Sequence, residues 1–206
     1  MGMLKAVTLA LILVSGGLVA SRAEGTMFMT AGWKKRVAGD PCAGTPAAGT
    51  QCSGGAYFAG SYNGFKYMTT PAGCGPGVSP TCGNDDTVFY LQWGASGTLT
   101  PATSTTDGAA NTSYLAANFS DTDAAKHCEN LVLFGYSDWF LPSTLEATNT
   151  LYTNKASMPG LILDGSNYWT SVDSTATKAS LIRFNTGTVS TTTKSGLYYV
   201  RCVRKY

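Results

Sequence analysis

The sequence predicts an α+β domain: short helices on one flank of a mainly antiparallel sheet, in a loop-rich, disulfide-stapled chain. Three observations lead there. From Ser120 the apolar residues recur at helical spacing, whereas the runs before it alternate and are cut by turns. A capping-box signature, Ser143-Thr144-Leu145-Glu146, follows Pro142 and opens a second helix. The 206-residue chain carries six cysteines but only 13% charged residues, the profile of a neutral, turn-rich, exported protein.

Taken in order, Lys5 precedes an uncharged, largely apolar run from Ala6 to Ala20, and Ser21-Arg22-Ala23 offers small residues at a cleavage point. The run is short for a transmembrane helix, a retained membrane anchor being the alternative to a cleaved signal. Residues 1–23 therefore read as a signal peptide, 24–40 as a loosely structured segment, and 41–206 as one domain at the cell surface or secreted. Cleavage removes Lys5 and Arg22 from fourteen basic residues, leaving twelve against twelve acids. A chain near neutrality has no electrostatic drive toward nucleic acid, and Lys34-Lys35-Arg36 alone makes a weak basic patch.

The cysteines read as a disulfide framework, although six allow fifteen pairings. Cys42 and Cys52 flank one Gly/Pro/Ala-rich loop and Cys74 and Cys82 another, so local closure is the economical scheme, with Cys128 and Cys202 left to each other. Zinc is disfavoured: the chain has no CxxC pair and its one histidine is His127. The run from Gly54 to Thr70 alternates aromatic and small residues around Asn63-Gly64, a strong hairpin signal. Thr87–Trp93 reads as a strand and Gly94–Thr112 as a Ser/Thr/Gly loop.

Ser120 is placed to cap a helix with Asp121 and Asp123 in its first turn. Ala124, Ala125, Cys128, Leu131 and Val132 share its inner face, and Gly135 ends it. The capping-box helix carries Leu145, Thr148, Asn149, Leu151 and Tyr152. SNYWTSV, ASLIRF and LYYVRCV then read as strands separated by turns.

The order CENL, GYSDWFLPS, LYTNKA, YWTS, FNTG and YVRCVR resembles the Lcl C-terminal domain family, which caps some bacterial collagen-like adhesins and recurs in other surface and phage-associated proteins. The likeness runs from about Tyr57 to Arg204 and is most specific in Gly135–Ser143 and Tyr199–Arg204. It implies a C-type-lectin-like fold, shared with formylglycine-generating enzymes, in which a disulfide ties the first helix to the last strand; that supports Cys128–Cys202. Relatives often carry Arg or Tyr in the place of Phe140. A charge-mediated contact there would be absent here.

Trp139, Tyr168 and Trp169 offer a sugar-stacking platform on paper, but aromatics in such runs are more often core. Asp138 beside Trp139 invites comparison with calcium-dependent lectins, yet the companion Glu-Pro-Asn type loop is missing and calcium needs six to eight oxygen ligands. Asn84-Asp85-Asp86 reads as a turn. No cofactor or metal is expected. Scattered acids, a lone histidine beside a cysteine committed to a bridge, and no GxSxG argue against an enzyme.

The function expected is thus an adhesin-like binding module for a glycan or host or neighbour-cell polymer; the alternative is an assembly subunit of a fibre, pilus or phage-like appendage. Relatives in collagen-like adhesins are associated with sulfated polysaccharides, so the resemblance points to that ligand class. Recognition residues are sought in the loops Ser157–Asn167, Asp173–Lys178 and Asn185–Ser195: Asn167, Asp173, Lys178, Arg183, Asn185 and Lys194. Lys178, Arg183 and Lys194 are expected to form one basic group.

Overall fold

A computed structural model of the chain describes residues 42–75, 89–161 and 163–206. The expected signal segment, residues 24–40, Cys82 and Asn84-Asp85-Asp86 lie outside the described residues. No described helix is long and apolar enough to cross a membrane.

The first hairpin forms where the sequence places it. Strands β1 (Tyr57–Tyr62) and β2 (Phe65–Thr69) pair antiparallel around Asn63 (φ 50°) and Gly64 (φ 79°), the two left-handed positions that a tight hairpin turn demands. Strand β2 then pairs with the last strand, β8 (Val203–Lys205), giving a sheet of order β1-β2-β8. The second sheet contains β3 (Tyr90–Gln92), β4 (Asn167–Asp173), β5 (Lys178–Arg183), β6 (Thr188–Thr193) and β7 (Leu197–Tyr199), in the order β3-β7-β4-β5-β6. Its pairs are antiparallel except for β4 with β7.

Alternation along β4 and β5 sends neighbouring residues to opposite faces. Trp169 and Leu181 join a core with Trp93, Leu115, Cys128 and Trp139, while Tyr168 and Ile182 join a second with Phe140, Leu151 and Phe184. The core reading of Trp139, Tyr168 and Trp169 holds; they are not a surface platform.

Three helices follow, and the first corrects the expectation of a loop over 94–112. Helix α1 (Gly108–Asn118) is capped by Asp107, whose side chain accepts from the Ala110 amide. Its inward face is largely polar. Asn111 donates to the Ser104 carbonyl and the Ser171 hydroxyl, and Thr112 bonds both the N–H and the C=O of Leu141, so apolar periodicity could not reveal it. Helix α2 (Asp123–Glu129) starts later than expected, with Thr122 rather than Ser120 at the N-cap. The Thr122 hydroxyl donates back to the Leu115 carbonyl instead of capping. The helix also ends before Gly135, and Val132, expected inside, is exposed because Leu133 to Tyr136 turn back on themselves. Cys128 does face inward, bridged to Cys202 with the Cα atoms 5.4 Å apart.

Helix α3 (Thr144–Ala147) begins with the capping box read from the sequence and runs on through a π-helical turn at Thr148–Tyr152 and a 3₁₀ turn at Lys155–Ser157. Its Glu146 does more than cap. One oxygen accepts from Ser143 N and Gly108 N, each at 2.9 Å, and the other from the Tyr67 hydroxyl at 2.9 Å and Lys205 Nζ at 3.3 Å. A single buried carboxylate thus joins both sheets' connecting helices to β2 and β8. The approach is close enough that a Cβ on Gly108 would sit 2.5 Å from that carboxylate and 2.6 Å from the Leu141 carbonyl. Burial, and next the Glu146 charge, pushes the Tyr67 hydroxyl's pKa well up. At the rim of the network burial works to raise the Asp107 pKa, but the bonds from Lys205 and the Ala110 amide outweigh it and hold the carboxyl below its usual range.

Two further corrections concern the C-terminal half. LYYVRCV is not one strand: the chain leaves one sheet after Tyr199 and enters the other at Val203. Between them Arg201, buried, donates to the carbonyls of Thr70 (2.5 Å) and Pro159 (2.7 Å), which fixes the crossing. The expected loop 185–195 contains β6. Cys42–Cys52 is bonded as expected, and Cys74 is bonded too, its expected partner Cys82 being outside the described residues.

Candidate functional site

Strand β4 begins at Asn167 and β5 ends at Arg183, directly opposite each other in the register. Arg183 Nε donates to Asn167 Oδ1 at 3.3 Å. The next strand continues the row with Thr188, whose hydroxyl lies 2.8 Å from that of Thr186. Beyond β5 the chain turns through Asn185, and there the 3₁₀ turn after α3 meets it: Lys155 Nζ donates to the Asn185 carbonyl at 3.2 Å and sits 4.1 Å from the centre of the Tyr152 ring. In the adjoining loop Asp164 accepts from the Ser166 amide and hydroxyl. The result is a partly exposed, polar end of the five-stranded sheet with two cations, Lys155 and Arg183, held on rigid elements.

Of the six residues singled out in the sequence, Asn167, Arg183 and Asn185 are brought together here. Lys178 is exposed but lies at the opposite end of β5, about 17 Å away at the usual rise per strand residue. Asp173 and Lys194 are a correction. Lys194 Nζ and Asp173 Oδ2 are 2.9 Å apart with both side chains fully buried. The ammonium also donates to the carbonyls of Thr98 (2.6 Å) and Ala95 (3.4 Å), and the carboxylate accepts from the Thr100 and Ser174 amides at 2.8 and 2.7 Å. This pair pins the 94–103 loop to the sheet and cannot meet a surface ligand. The expected basic group of Lys178, Arg183 and Lys194 therefore does not exist. Sequence reasoning missed Lys155; its one signal was its place in LYTNKA.

Among the described residues, Asp138 and His127, the other ionisable groups singled out in the sequence, are bonded within the framework. Asp138 makes a two-pronged pair with Arg204 at 2.8 and 3.0 Å, and the guanidinium stacks 3.9 Å from the Tyr136 ring centre. His127, nearly buried, donates from Nε2 to the Cys74 carbonyl at 3.2 Å with the Phe89 ring centred 4.2 Å away. Burial pushes its pKa down to about 4 from 6.5, the bond to Cys74 pulling part of the way back. The unfolded chain therefore takes up the proton first as pH falls. The contribution is intact above the unfolded value and is lost progressively between 6.5 and 4. Urea melts should show about 2 kcal/mol lost from this group between pH 7 and pH 5, and His127→Gln should flatten that part of the profile.

A sequence model of one protein family, described as the Lcl C-terminal domain, matches residues 84–204, more than half of the chain. The match takes in β3 through β7 and most of β8, and leaves the β1–β2 hairpin outside. No curated protein matches the chain.

Proposed function

The chain belongs to the Lcl C-terminal domain family, and from that premise we propose that it is an exported, lectin-like, non-catalytic module that binds an acidic, sulfated surface polysaccharide at the Lys155–Arg183 end of its larger sheet. One observation carries the reading. Among the described residues Lys155 and Arg183, like Lys126 and Lys178, lie in no ion pair, and the first two stand at one sheet end, Arg183 bonded to the Asn167 side chain and Lys155 to the Asn185 carbonyl. Cations without carboxylate partners, spaced by hydrogen-bonding groups, suit a polyanion. The non-catalytic reading is supported by the occupation of Asp138, Asp173, Glu146 and His127 in structural bonds. Export is supported by the disulfides.

Exposed charge contacts are worth about 0.2–1 kcal/mol each and are screened by salt. Binding to an immobilised sulfated polysaccharide should therefore weaken steeply as salt rises. Lys155→Ala with Arg183→Ala should cost about tenfold in affinity with the melting temperature nearly unchanged, while Lys178→Ala should bind as the parent does. A parent that ignores sulfated polysaccharides at low salt, or a double variant that binds as the parent does, removes this reading. The alternative, an assembly subunit, would instead show concentration-dependent polymers and no binding to polysaccharide.

A further inference from the structure

Among the described residues strand β6 ends the larger sheet, with a partner on one side only. Its six residues, Thr-Val-Ser-Thr-Thr-Thr, pair without interruption from Thr188 opposite Arg183 to Thr193 opposite Lys178, and all but Thr192 are exposed. Edges of this kind are normally blunted by charge, proline, a bulge or shortness. The opposite edge, β3, is only three residues long. Strand β6 has no such device: it is uncharged, free of proline and regular, and the adjacent Lys194 is turned inward to Asp173.

We propose that β6 pairs antiparallel with β6 of a second copy about a two-fold axis through Ser190, joining the two larger sheets into one. The strand is complementary to itself in that register. Thr188 faces the partner's Thr192, Ser190 faces the partner's Ser190, and Val189 faces the partner's Thr191, so one side becomes a hydroxyl ladder of favourable cross-strand pairs. The flanking cations do not oppose it. Lys178 and Arg183 lie on β5, and the two β5 strands would be three strand spacings, about 14 Å, apart, beyond the ~8 Å screening length at physiological salt. The contact is isologous and closes at two copies, so it builds a dimer rather than a fibre. A dimer would present two Lys155–Arg183 ends to one polymer; that consequence rests on the proposed function, whereas the pairing does not.

The test is sedimentation of the full chain over about 1–100 μM, with Ser190→Lys, Ser190→Glu and their equimolar mixture. Like charges directly opposite each other destabilise a strand pair, so each variant alone should dissociate at least about tenfold more readily than the parent, and the mixture should recover dimer. Ser190 is exposed, and circular dichroism should show both variants folded. A parent that stays monomeric throughout, or a Ser190→Lys variant that dimerises as the parent does, overturns the proposal.

Discussion

Replacing Lys194 by methionine is expected to destabilise the domain by about 3–5 kcal/mol, the cost of leaving a buried charge without its partner. Asp173 would keep the amides of Thr100 and Ser174 but lose the ammonium that neutralises it, and the carbonyls of Ala95 and Thr98 would lose their donor. The methionine can still fill the space beside the Trp93 ring, so packing loss is the smaller part. The double variant Asp173→Asn with Lys194→Met should recover stability relative to Lys194→Met alone, because no net charge remains buried. Urea melts of the two variants check the order. A Lys194→Met protein as stable as the parent would mean that the pair is not a structural hub.

Loss of the Cys128–Cys202 bridge, by changing both residues to Ala, should cost about 2–5 kcal/mol. The bridge joins residues 74 apart and locks α2 to the chain entering β8, whereas Cys42–Cys52 closes a separation of 10. In the chain-entropy picture the difference in loop length alone is worth about 2 kcal/mol in favour of the longer bridge. The long bridge also sits in the core beside Leu131 and Trp139. Removing it should therefore lower the melting temperature clearly more than removing Cys42–Cys52. Equal shifts would contradict the ordering.

Local signals with a backbone mechanism were legible in the sequence. Asn63-Gly64 names its own turn, Ser143 to Glu146 names its own helix start, and the Cys42–Cys52 and Cys128–Cys202 bridges followed from spacing, remainder and family likeness. Features that depend on a distant partner were not. Helix α1 turns Asn111 and Thr112 inward because Ser171 and Leu141 await them, and nothing in the periodicity of the segment records that. Lys194 reads as a solvated charge in a Ser/Thr loop until β6 and the Thr98 carbonyl are seen to carry it to Asp173. The candidate site was half legible for the same reason. The register of β4 and β5 unites Asn167 with Arg183, but Lys155 reaches Asn185 from 30 residues away through the end of a helix.

The most direct test of the division between framework and recognition surface is amide chemical-shift mapping during titration with a sulfated oligosaccharide. Perturbations are expected to gather at Tyr152–Lys155, Asp164–Asn167 and Arg183–Thr188, leaving Asp173, Lys194 and the Lys178 end of β5 unmoved. Shifts centred on Lys178 and the loop before it, or none at saturating oligosaccharide, would contradict the placement of the site.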